Sequence, residues 1–281
     1  MNTIRIIPRL DIKGPNLVKG IHLEGLRVLG NPADFAEFYY QNGADELFYQ
    51  DVVASLYERN GLTDIISKTA KKSFIPLTVG GGIRTIEDIK GMLRVGADKV
   101  AINTAAIKKP DFIKEATRKF GSSTIVIAIE VIKQPDGAYL VYTDNGREYT
   151  GIDAYTWATK VQELGAGEIV ITSIDKEGTG EGFDLELIET ISTSVDIPVI
   201  AHGGMGKLED AISAVNAKAN ALSVSSVLHY DYIENNRNTN NTLDEGNTSF
   251  LKSGRRFSKI TSMSIKEIKD YLIINNIDCR K

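Results

Sequence analysis

Short apolar runs rich in Val and Ile alternate with segments of helical periodicity along most of the chain. The runs predict eight strands, at residues 4–10, 46–51, 76–79, 99–103, 124–130, 168–173, 198–202 and 221–225. Apolar positions with a helical period predict helices at residues 32–42, 62–72, 86–95, 110–120, 153–164, 185–194 and 207–216. Strands that alternate with such helices form a parallel sheet with crossover helices, and eight units are the number in a (β/α)₈ barrel. The pattern therefore predicts an α/β fold.

An internal repeat indicates that the sheet is closed. Residues 75–83 (IPLTVGGGI) return 122 residues later as residues 197–205 (IPVIAHGGM). At the same offset, residues 42–47 match 164–169 and residues 97–104 match 219–226, and a slightly smaller offset pairs Asp11 with Glu130. Three collinear matches in one register predict a single (β/α)₈ TIM barrel built from two duplicated half-barrels.

Two regions interrupt the repeat. Residues 131–150 contain Pro-Asp-Gly before an apolar run, which predicts a β-hairpin inserted after strand five. Residues 229–263 are rich in Asn, Thr, Ser and charge, and they precede a last helix near residues 264–275. So long a polar insertion is either a functional flap or partly disordered. We expect one barrel domain over residues 1–281 that carries both insertions.

Composition narrows the class of protein. A net charge of −4 argues against a nucleic-acid-binding surface. The single cysteine, Cys279, excludes an internal disulfide or a thiolate cluster and fits the cytoplasm, and no apolar run approaches the roughly 20 residues of a membrane span. His22, His202 and His229 share no metal-ligand spacing, so we predict neither a metal nor a cofactor.

Small and hydroxyl residues follow four of the predicted strands. In barrel enzymes, phosphate commonly lies between the loops after strands seven and eight, held by backbone N–H groups and a helix N-terminus. The residues are Gly81, Gly82, Asn103 and Thr104 in the first half and Gly203, Gly204, Ser225 and Ser226 in the second. The glycines alone could make tight turns, but two sites in matching register favour a substrate that is phosphorylated at both ends.

The repeat also pairs two acidic residues at strand ends. Asp11 and Glu130 are predicted on opposite sides of the barrel mouth, where two carboxyls can divide general acid and general base roles. The alternative is that they are helix caps or loop anchors. Asp51 and Glu177 are two further acidic residues, and each alone is more typical of a residue that organises a loop than of a catalyst. Lys19, in the long loop after strand one, either reaches a substrate oxyanion or is solvated.

A second charged group is predicted at the other end of the barrel. Arg5, Glu46, Lys99 and Glu168 each lie at or near the start of a strand. Inward-facing charges there cost desolvation energy unless they pair with one another. A structural ring that plugs the barrel and a functional gate both fit this pattern.

Several collinear motifs resemble the cyclase subunit of imidazole glycerol phosphate synthase. The motifs are residues 6–11 (IIPRLD), 76–84 (PLTVGGGIR), 97–100 (ADKV), 165–169 (GAGEI), 172–175 (TSID) and 182–184 (GFD). The similarity runs from residue 4 to about residue 229 and resumes in the last helix. It implies a lyase of histidine biosynthesis that uses ammonia to convert phosphoribulosyl-formimino-aminoimidazole-carboxamide ribotide to imidazole glycerol phosphate and aminoimidazole carboxamide ribotide.

The resemblance also implies roles and a partner. Asp11 and Glu130 would be catalytic, and a glutaminase subunit docked at the bottom of the barrel would send ammonia up through it. One phosphate would be held by Gly82, Asn103 and Thr104, and the other by Gly203, Gly204, Ser225 and Ser226. The remaining positions are the site-lining residues Lys19, Asp51, Thr172 and Glu177, the ammonia gate Arg5, Glu46, Lys99 and Glu168, and the docking residue Asp98.

Four positions depart from the family pattern. Glu130 and Glu177 stand where the family usually has Asp, and each added methylene moves a carboxyl by roughly 1 Å. Arg9 and His202 replace small residues beside the site. These departures keep two other hypotheses open: an ammonia-channelling subunit of a sugar-amidation system in surface polysaccharide biosynthesis, and a non-catalytic docking module for a glutaminase.

Overall fold

The structure is a computed structural model that describes residues 3–54, 62–236 and 260–280. The strands are β1 (Arg5–Lys13), β2 (Asn16–Ile21), β3 (Glu24–Gly30), β4 (Leu47–Asp51), β5 (Leu77–Gly80), β6 (Lys99–Ile102), β7 (Ile125–Lys133), β8 (Tyr139–Thr143), β9 (Glu148–Asp153), β10 (Glu168–Ser173), β11 (Val199–His202) and β12 (Ala221–Val224). The α-helices are α1 (Pro32–Gln41), α2 (Thr63–Ala70), α3 (Ile86–Arg94), α4 (Thr104–Lys108), α5 (Asp111–Phe120), α6 (Ala154–Glu163), α7 (Leu185–Ser194), α8 (Leu208–Asn216), α9 (Ser226–Asn235) and α10 (Ile265–Ile274).

Eight of the strands form a closed parallel barrel. Their order around the barrel is β1, β4, β5, β6, β7, β10, β11 and β12. The circle closes where β12 pairs with β1, with Arg5 opposite Ala221 and Pro8 opposite Val224. The predicted (β/α)₈ barrel is therefore confirmed.

Each half of the barrel carries an antiparallel hairpin on its first strand. In the first half, β2 and β3 extend from β1, with Asp11 opposite Val18. In the second half, β8 and β9 extend from β7, with Glu130 opposite Tyr142. The hairpin predicted at residues 131–150 is present as β8 and β9, but it does not break the repeat, because the first half has its own hairpin at the corresponding place.

These hairpins also change two strand boundaries. The predicted first and fifth strands stop at residues 10 and 130, whereas β1 and β7 continue to Lys13 and Lys133 because the hairpin strands pair with their last residues. Asp11 and Glu130 thus lie inside strands, at the level where the hairpins begin. Lys19 lies in β2 and not in an irregular loop.

Two apolar layers hold the barrel together. A large core lies between the strands and the surrounding helices. A smaller cluster fills the interior of the barrel with Ile7, Phe48, Ala101, Val126, Ala128, Val170, Ile200 and Ala221. Inward-facing residues alternate along a strand with outward-facing ones, so the layers of side chains above and below this cluster also point into the barrel. Both of those layers are polar.

Helix starts follow from local capping. The Asn31 side chain accepts a hydrogen bond from the Ala33 N–H group at the start of α1, and Thr85 and Asp88 form a capping box at the start of α3. Two helices were not predicted. Helix α4 is only five residues long, and α9 is buried through Tyr230, which hides its helical period.

The start of the polar insertion, predicted at residue 229, was placed too early in the chain. Its first residues belong to α9, and His229 and Tyr230 are buried. Near its end, Ile260 and Met263 also join the core. The residues from 237 to 259, on which the proposal of a flap rests, lie outside the described residues. In the ranges that are described, no helix combines the length and the apolar character that a bilayer crossing requires.

Candidate active site

Two acidic side chains lie inside the barrel at its carboxyl-terminal end. Ile7 belongs to the interior layer, and the two-residue period of β1 places Arg9 and Asp11 on the same inward face. Glu130 lies on β7, beyond Ala128 of the same layer. Asp11 is 8% exposed and Glu130 is 5% exposed. The fold thus carries both carboxyls into the mouth of the barrel and shields both from water.

Asp11 is held by Arg9, which the sequence marked only as a departure from the family. Arg9 Nε donates to Asp11 Oδ1 at 2.8 Å. The guanidinium lies 5.6 Å from the centre of the Phe48 ring, and Nη1 donates to Thr172 Oγ1 at 3.4 Å. This charge-assisted hydrogen bond fixes the orientation of the Asp11 carboxyl in the mouth.

Glu130 has a different environment. Its Oε2 accepts a hydrogen bond from the Gly146 N–H group at 2.9 Å. Burial raises the pKa of Glu130 to about 7, and the charge of Asp11 adds to the rise, whereas Arg9 and the hydrogen bonds from Gly146 and Asn103 oppose it. Near neutral pH this carboxyl can therefore hold or release a proton, as a general acid must.

The tip of the β2–β3 hairpin closes over the same mouth. Glu177 Oε2 accepts from the Leu23 N–H group at 2.9 Å, and the Glu177 carbonyl oxygen accepts from the His22 N–H group at 3.0 Å. The Asn145 side chain donates to the Leu23 carbonyl oxygen at 3.1 Å. Burial, and then the charge of Asp11, raise the pKa of Glu177. The hairpin thus contacts loops of the opposite half-barrel and helps to exclude water.

Lys19 points inward from this hairpin. Its side chain is buried, so the alternative of a solvated lysine does not hold. Nζ donates to the Gly20 carbonyl oxygen at 3.1 Å and lies 5.9 Å from the centre of the Tyr230 ring. Burial lowers the pKa of Lys19 to about 8, against the attraction of Glu177. The amine therefore carries a charge that a modest change of pH removes.

The predicted first-half phosphate residues border one pocket of about 320 Å³. Gly81 has φ +98°, and a Cβ there would lie 2.4 Å from the Asp51 carbonyl oxygen, so only glycine fits. The pocket brings together Asp51, Gly81, Gly82, Asn103, Thr104 and Glu130. It also includes three cations that the sequence analysis missed, Arg84, Lys108 and Lys109. The pair of lysines that begins four residues after Thr104 was the available signal.

Asp51 and Thr104 have local partners in this pocket. Asp51 Oδ1 accepts from the Val53 N–H group at 3.0 Å, and burial raises the pKa of this carboxyl. Thr104 Oγ1 accepts from the Asp144 N–H group at 3.2 Å. Both side chains therefore organise loops as well as lining the pocket.

The predicted second-half phosphate residues lie on the same rim. Gly203 and Gly204 have φ of +99° and +110°, and a Cβ on Gly204 would lie 2.1 Å from the Gly182 carbonyl oxygen. Ser225 Oγ donates to the Arg9 carbonyl oxygen at 3.0 Å, and Ser226 is the first residue of α9. The glycine turns of both halves thus face the end of the barrel that carries the two acids.

His202 lies beneath this rim. The ring is buried, and its Nδ1 donates to the Ser223 carbonyl oxygen at 3.0 Å. Burial lowers the pKa of His202 well below its usual value, and the charge of Arg9 lowers it further. The imidazole is therefore neutral and adds no second positive charge beside Arg9.

At the opposite end, four charged side chains form an alternating ring. Arg5 contacts Glu46 at 2.7 Å and also contacts Glu168, and Lys99 contacts Glu46 at 3.0 Å and Glu168 at 3.1 Å. Burial opposes the charge of Arg5, but Glu168 and Glu46 outweigh it and raise the pKa of Arg5. Asp98 lies outside the ring, exposed, where its Oδ2 accepts from the Leu77 N–H group at 2.8 Å.

The chain is similar in sequence to known proteins of histidine biosynthesis. A family model described as "Histidine biosynthesis protein" matches residues 5–234. The chain is 59% identical over 210 residues to the imidazole glycerol phosphate synthase subunit HisF of Legionella pneumophila, which covers 75% of this chain and 99% of the relative. It is 50% identical over 250 residues to the subunit of the same name in Methanocaldococcus jannaschii, which covers 82% of this chain and 92% of the relative. The chain belongs to the histidine biosynthesis protein family.

Proposed function

We propose that this chain is the cyclase subunit of an imidazole glycerol phosphate synthase and that Asp11 and Glu130 carry out its acid–base chemistry. The observation that supports this most directly is the pair of buried carboxyls in one barrel mouth, with glycine turns of both half-barrels at the same rim. The substrate would be the bisphosphorylated ribulosyl compound of histidine biosynthesis, and the relatives named above support this choice over the two other hypotheses.

The two carboxyls suit different proton transfers. Ammonia adds to the ribulosyl carbonyl carbon, and the oxygen leaves as water when the imine forms, so one group must take protons from nitrogen and another must give a proton to oxygen. Asp11, whose Oδ1 accepts a hydrogen bond from Arg9, fits the base. Glu130, with its pKa of about 7, fits the acid. The same pair would move protons during C–N cleavage and ring closure.

The phosphates of the substrate would bind at the two halves of the rim. In the first half, Gly82, Asn103 and Thr104 border the pocket together with Lys108 and Lys109. Backbone N–H groups at glycine turns, and nearby ammonium groups, are common ligands of phosphate. In the second half, Gly203, Gly204, Ser225 and Ser226 would hold the other phosphate. Lys19, Asp51, Thr172 and Glu177 would line the space between them.

The other end of the barrel would receive ammonia from a glutaminase subunit. The relatives are named as subunits of a synthase, which supports a partner of this kind. The ring of Arg5, Glu46, Lys99 and Glu168 would be the gate, and the exposed carboxylate Asp98 would contact the partner. The complex would work in the cytoplasm.

The test is turnover by the purified chain with the ribulosyl substrate and excess ammonium over a range of pH, where no partner is needed. We expect imidazole glycerol phosphate and aminoimidazole carboxamide ribotide in equal amounts, and no product from the Asp11→Asn variant. Absence of both products from the wild-type chain would reject the proposal. In that event, tight binding of the bisphosphate without turnover would favour the docking module.

A further inference from the structure

Arg9 is a buried cation inside the barrel, two residues before Asp11 on β1. It is 2% exposed, and the family resemblance leads one to expect a small residue at this position. A guanidinium in an apolar interior is costly unless it is paired. A buried guanidinium at this position therefore needs a group of opposite charge beside it.

Contacts with residues of three strands fix the position of this side chain. Nε donates to Asp11 on β1 at 2.8 Å, the guanidinium lies 5.6 Å from the Phe48 ring on β4, and Nη1 donates to Thr172 on β10 at 3.4 Å. The backbone carbonyl of Arg9 accepts from Ser225, immediately before α9, at 3.0 Å. The guanidinium is thus oriented before any substrate arrives.

The three carboxyls near Arg9 differ in how they interact with it. Three carboxyls, those of Asp11, Glu130 and Glu177, are at most 8% exposed and share this mouth. Carboxylates that repel one another in a buried site do not all ionise near neutral pH. The charge of Arg9 opposes the rise in the pKa of Glu130 and of Glu177, but burial, and repulsion by Asp11, outweigh it in both. Direct contact with Arg9 therefore distinguishes Asp11 from the other two.

The other titratable neighbours do not replace this cation. His202 is neutral beside Arg9, because burial and the charge of Arg9 both lower its pKa. Lys19 interacts with Glu177, and burial lowers the pKa of Lys19 to about 8. A guanidinium, by contrast, is not deprotonated in proteins.

We propose that Arg9 is a positioning residue that keeps Asp11 as the carboxylate of the mouth and thereby leaves Glu130 to carry the proton. Arg9 assigns the base role to one acid and the acid role to the other. That these two roles are used in cyclisation rests on the proposed function. The difference between the two carboxyls is itself a property of the protein without substrate.

The first test needs no substrate. Chains labelled with ¹³C at the Glu side-chain carboxyls are titrated by NMR for the wild type, Arg9→Met and Arg9→Lys, with Glu130→Gln to assign the resonance. Glu130 should titrate near pH 7 in the wild type and about one pH unit or more higher in Arg9→Met, because an attractive charge is lost. Arg9→Lys should return it most of the way. Arg118→Met, which removes an exposed cation at the end of α5, should leave it unchanged.

A variant with the opposite sign protects the test against misfolding of Arg9→Met. Asp11→Asn removes the neighbouring negative charge, retains Arg9, and should move the Glu130 titration to lower pH. The same change in the Arg9→Met background should lower the Glu130 titration by less, because without Arg9 the Asp11 carboxyl no longer repels Glu130 to the same extent. Equal effects of Asp11→Asn in the two backgrounds, or a Glu130 titration in Asp11→Asn that equals that of the wild type, would overturn the proposal, because Arg9 would then only fill the barrel.

Kinetics give the second readout. With the ribulosyl substrate and ammonium, Arg9→Met should lower kcat by ~10²-fold with little change in KM, since a misassigned acid–base pair slows proton transfer. Arg9→Lys should recover part of the loss. Wild-type kcat in Arg9→Met would contradict the positioning role. If the wild-type chain itself shows no turnover, the proposed function fails, whereas the NMR titrations still decide the role of Arg9.

Discussion

The two ends of this barrel bury charge in different ways. At the bottom, Arg5 and Lys99 alternate with Glu46 and Glu168, and each cation contacts both carboxylates. At the mouth, the three buried carboxyls of Asp11, Glu130 and Glu177 interact with Arg9, although only that of Asp11 is hydrogen-bonded to it, and burial raises the pKa of Glu130 to about 7. Balanced pairs fix charges in place, whereas an excess of buried acid makes protons exchangeable. This difference supports the proposed structural or gating role at one end and the proposed acid–base chemistry at the other.

The largest expected effect is on catalysis at the mouth. Glu130→Gln removes the exchangeable proton but keeps the size of the side chain, so we expect kcat to fall by ~10³-fold, within the usual range for loss of a general acid. Steady-state kinetics with the ribulosyl substrate and saturating ammonium measure this.

The matched control for that variant is Glu130→Asp. It retains the carboxyl but shortens the side chain, and it restores the residue that is usual in the family. An active Glu130→Asp with an inactive Glu130→Gln indicates that the carboxyl is needed. Equal rates for Glu130→Gln and the wild type would remove the distinction between the two ends.

The second prediction concerns stability and its dependence on pH. Because burial raises the pKa of Glu130 from 4.5 to about 7, the folded state favours the protonated form. Its contribution to stability is present in full below about pH 4.5 and is lost as the pH rises through about 7, by roughly 3 kcal/mol in all.

Urea unfolding of the wild type and Glu130→Gln at pH 5 and pH 8 measures this loss. We expect the variant to gain stability relative to the wild type between the two pH values, because Gln does not ionise. A constant difference would show that the carboxyl is not perturbed.

The third prediction addresses the bottom ring. Glu168→Gln leaves Arg5 and Lys99 to share Glu46, and we expect a loss of about 2 kcal/mol in the free energy of unfolding, since hydrogen bonds between charged groups are broken. The rate with external ammonium should change little. A normal stability together with a collapsed ammonium-dependent rate would reverse the roles assigned to the two ends.

Much of this fold is encoded in local pattern. The period of apolar residues located all eight barrel strands, and the repeat of residues 75–83 at 197–205 indicated closure. The ends of β1 and β7 were missed because their last residues pair with hairpin strands, which is a tertiary contact that no local period records. Helix α9 was missed because a helix that is buried early in its length lacks a polar face.

The candidate site was predicted less completely. Asp11 and Glu130 could be paired through the repeat, and the glycine turns through their spacing. Arg9 was noticed only as unusual, because its contact with Asp11 two residues away on the same strand face becomes informative only when burial is known. Likewise, nothing in the sequence distinguished the environments of the two acids.

The smallest expected effect lies outside the ring. Asp98→Asn keeps the oxygen that accepts from the Leu77 N–H group but removes an exposed charge. Rim charges contribute modestly to association, so we expect affinity for a glutaminase partner to fall by less than ~10-fold and the ammonium-dependent rate to stay unchanged. Isothermal titration with the partner measures the affinity. A loss of ammonium-dependent activity would instead indicate that Asp98 is needed for the structure of the active site.

The pH profile of cyclisation at a constant concentration of free ammonia decides whether Glu130 is the general acid. If Glu130 is the general acid, kcat for imidazole glycerol phosphate formation should decline above pH about 7, where that carboxyl loses its proton. Glu130→Gln should show no such decline. A wild-type rate that stays level from about pH 6 to about pH 9 would contradict the assignment of the acid at the barrel mouth.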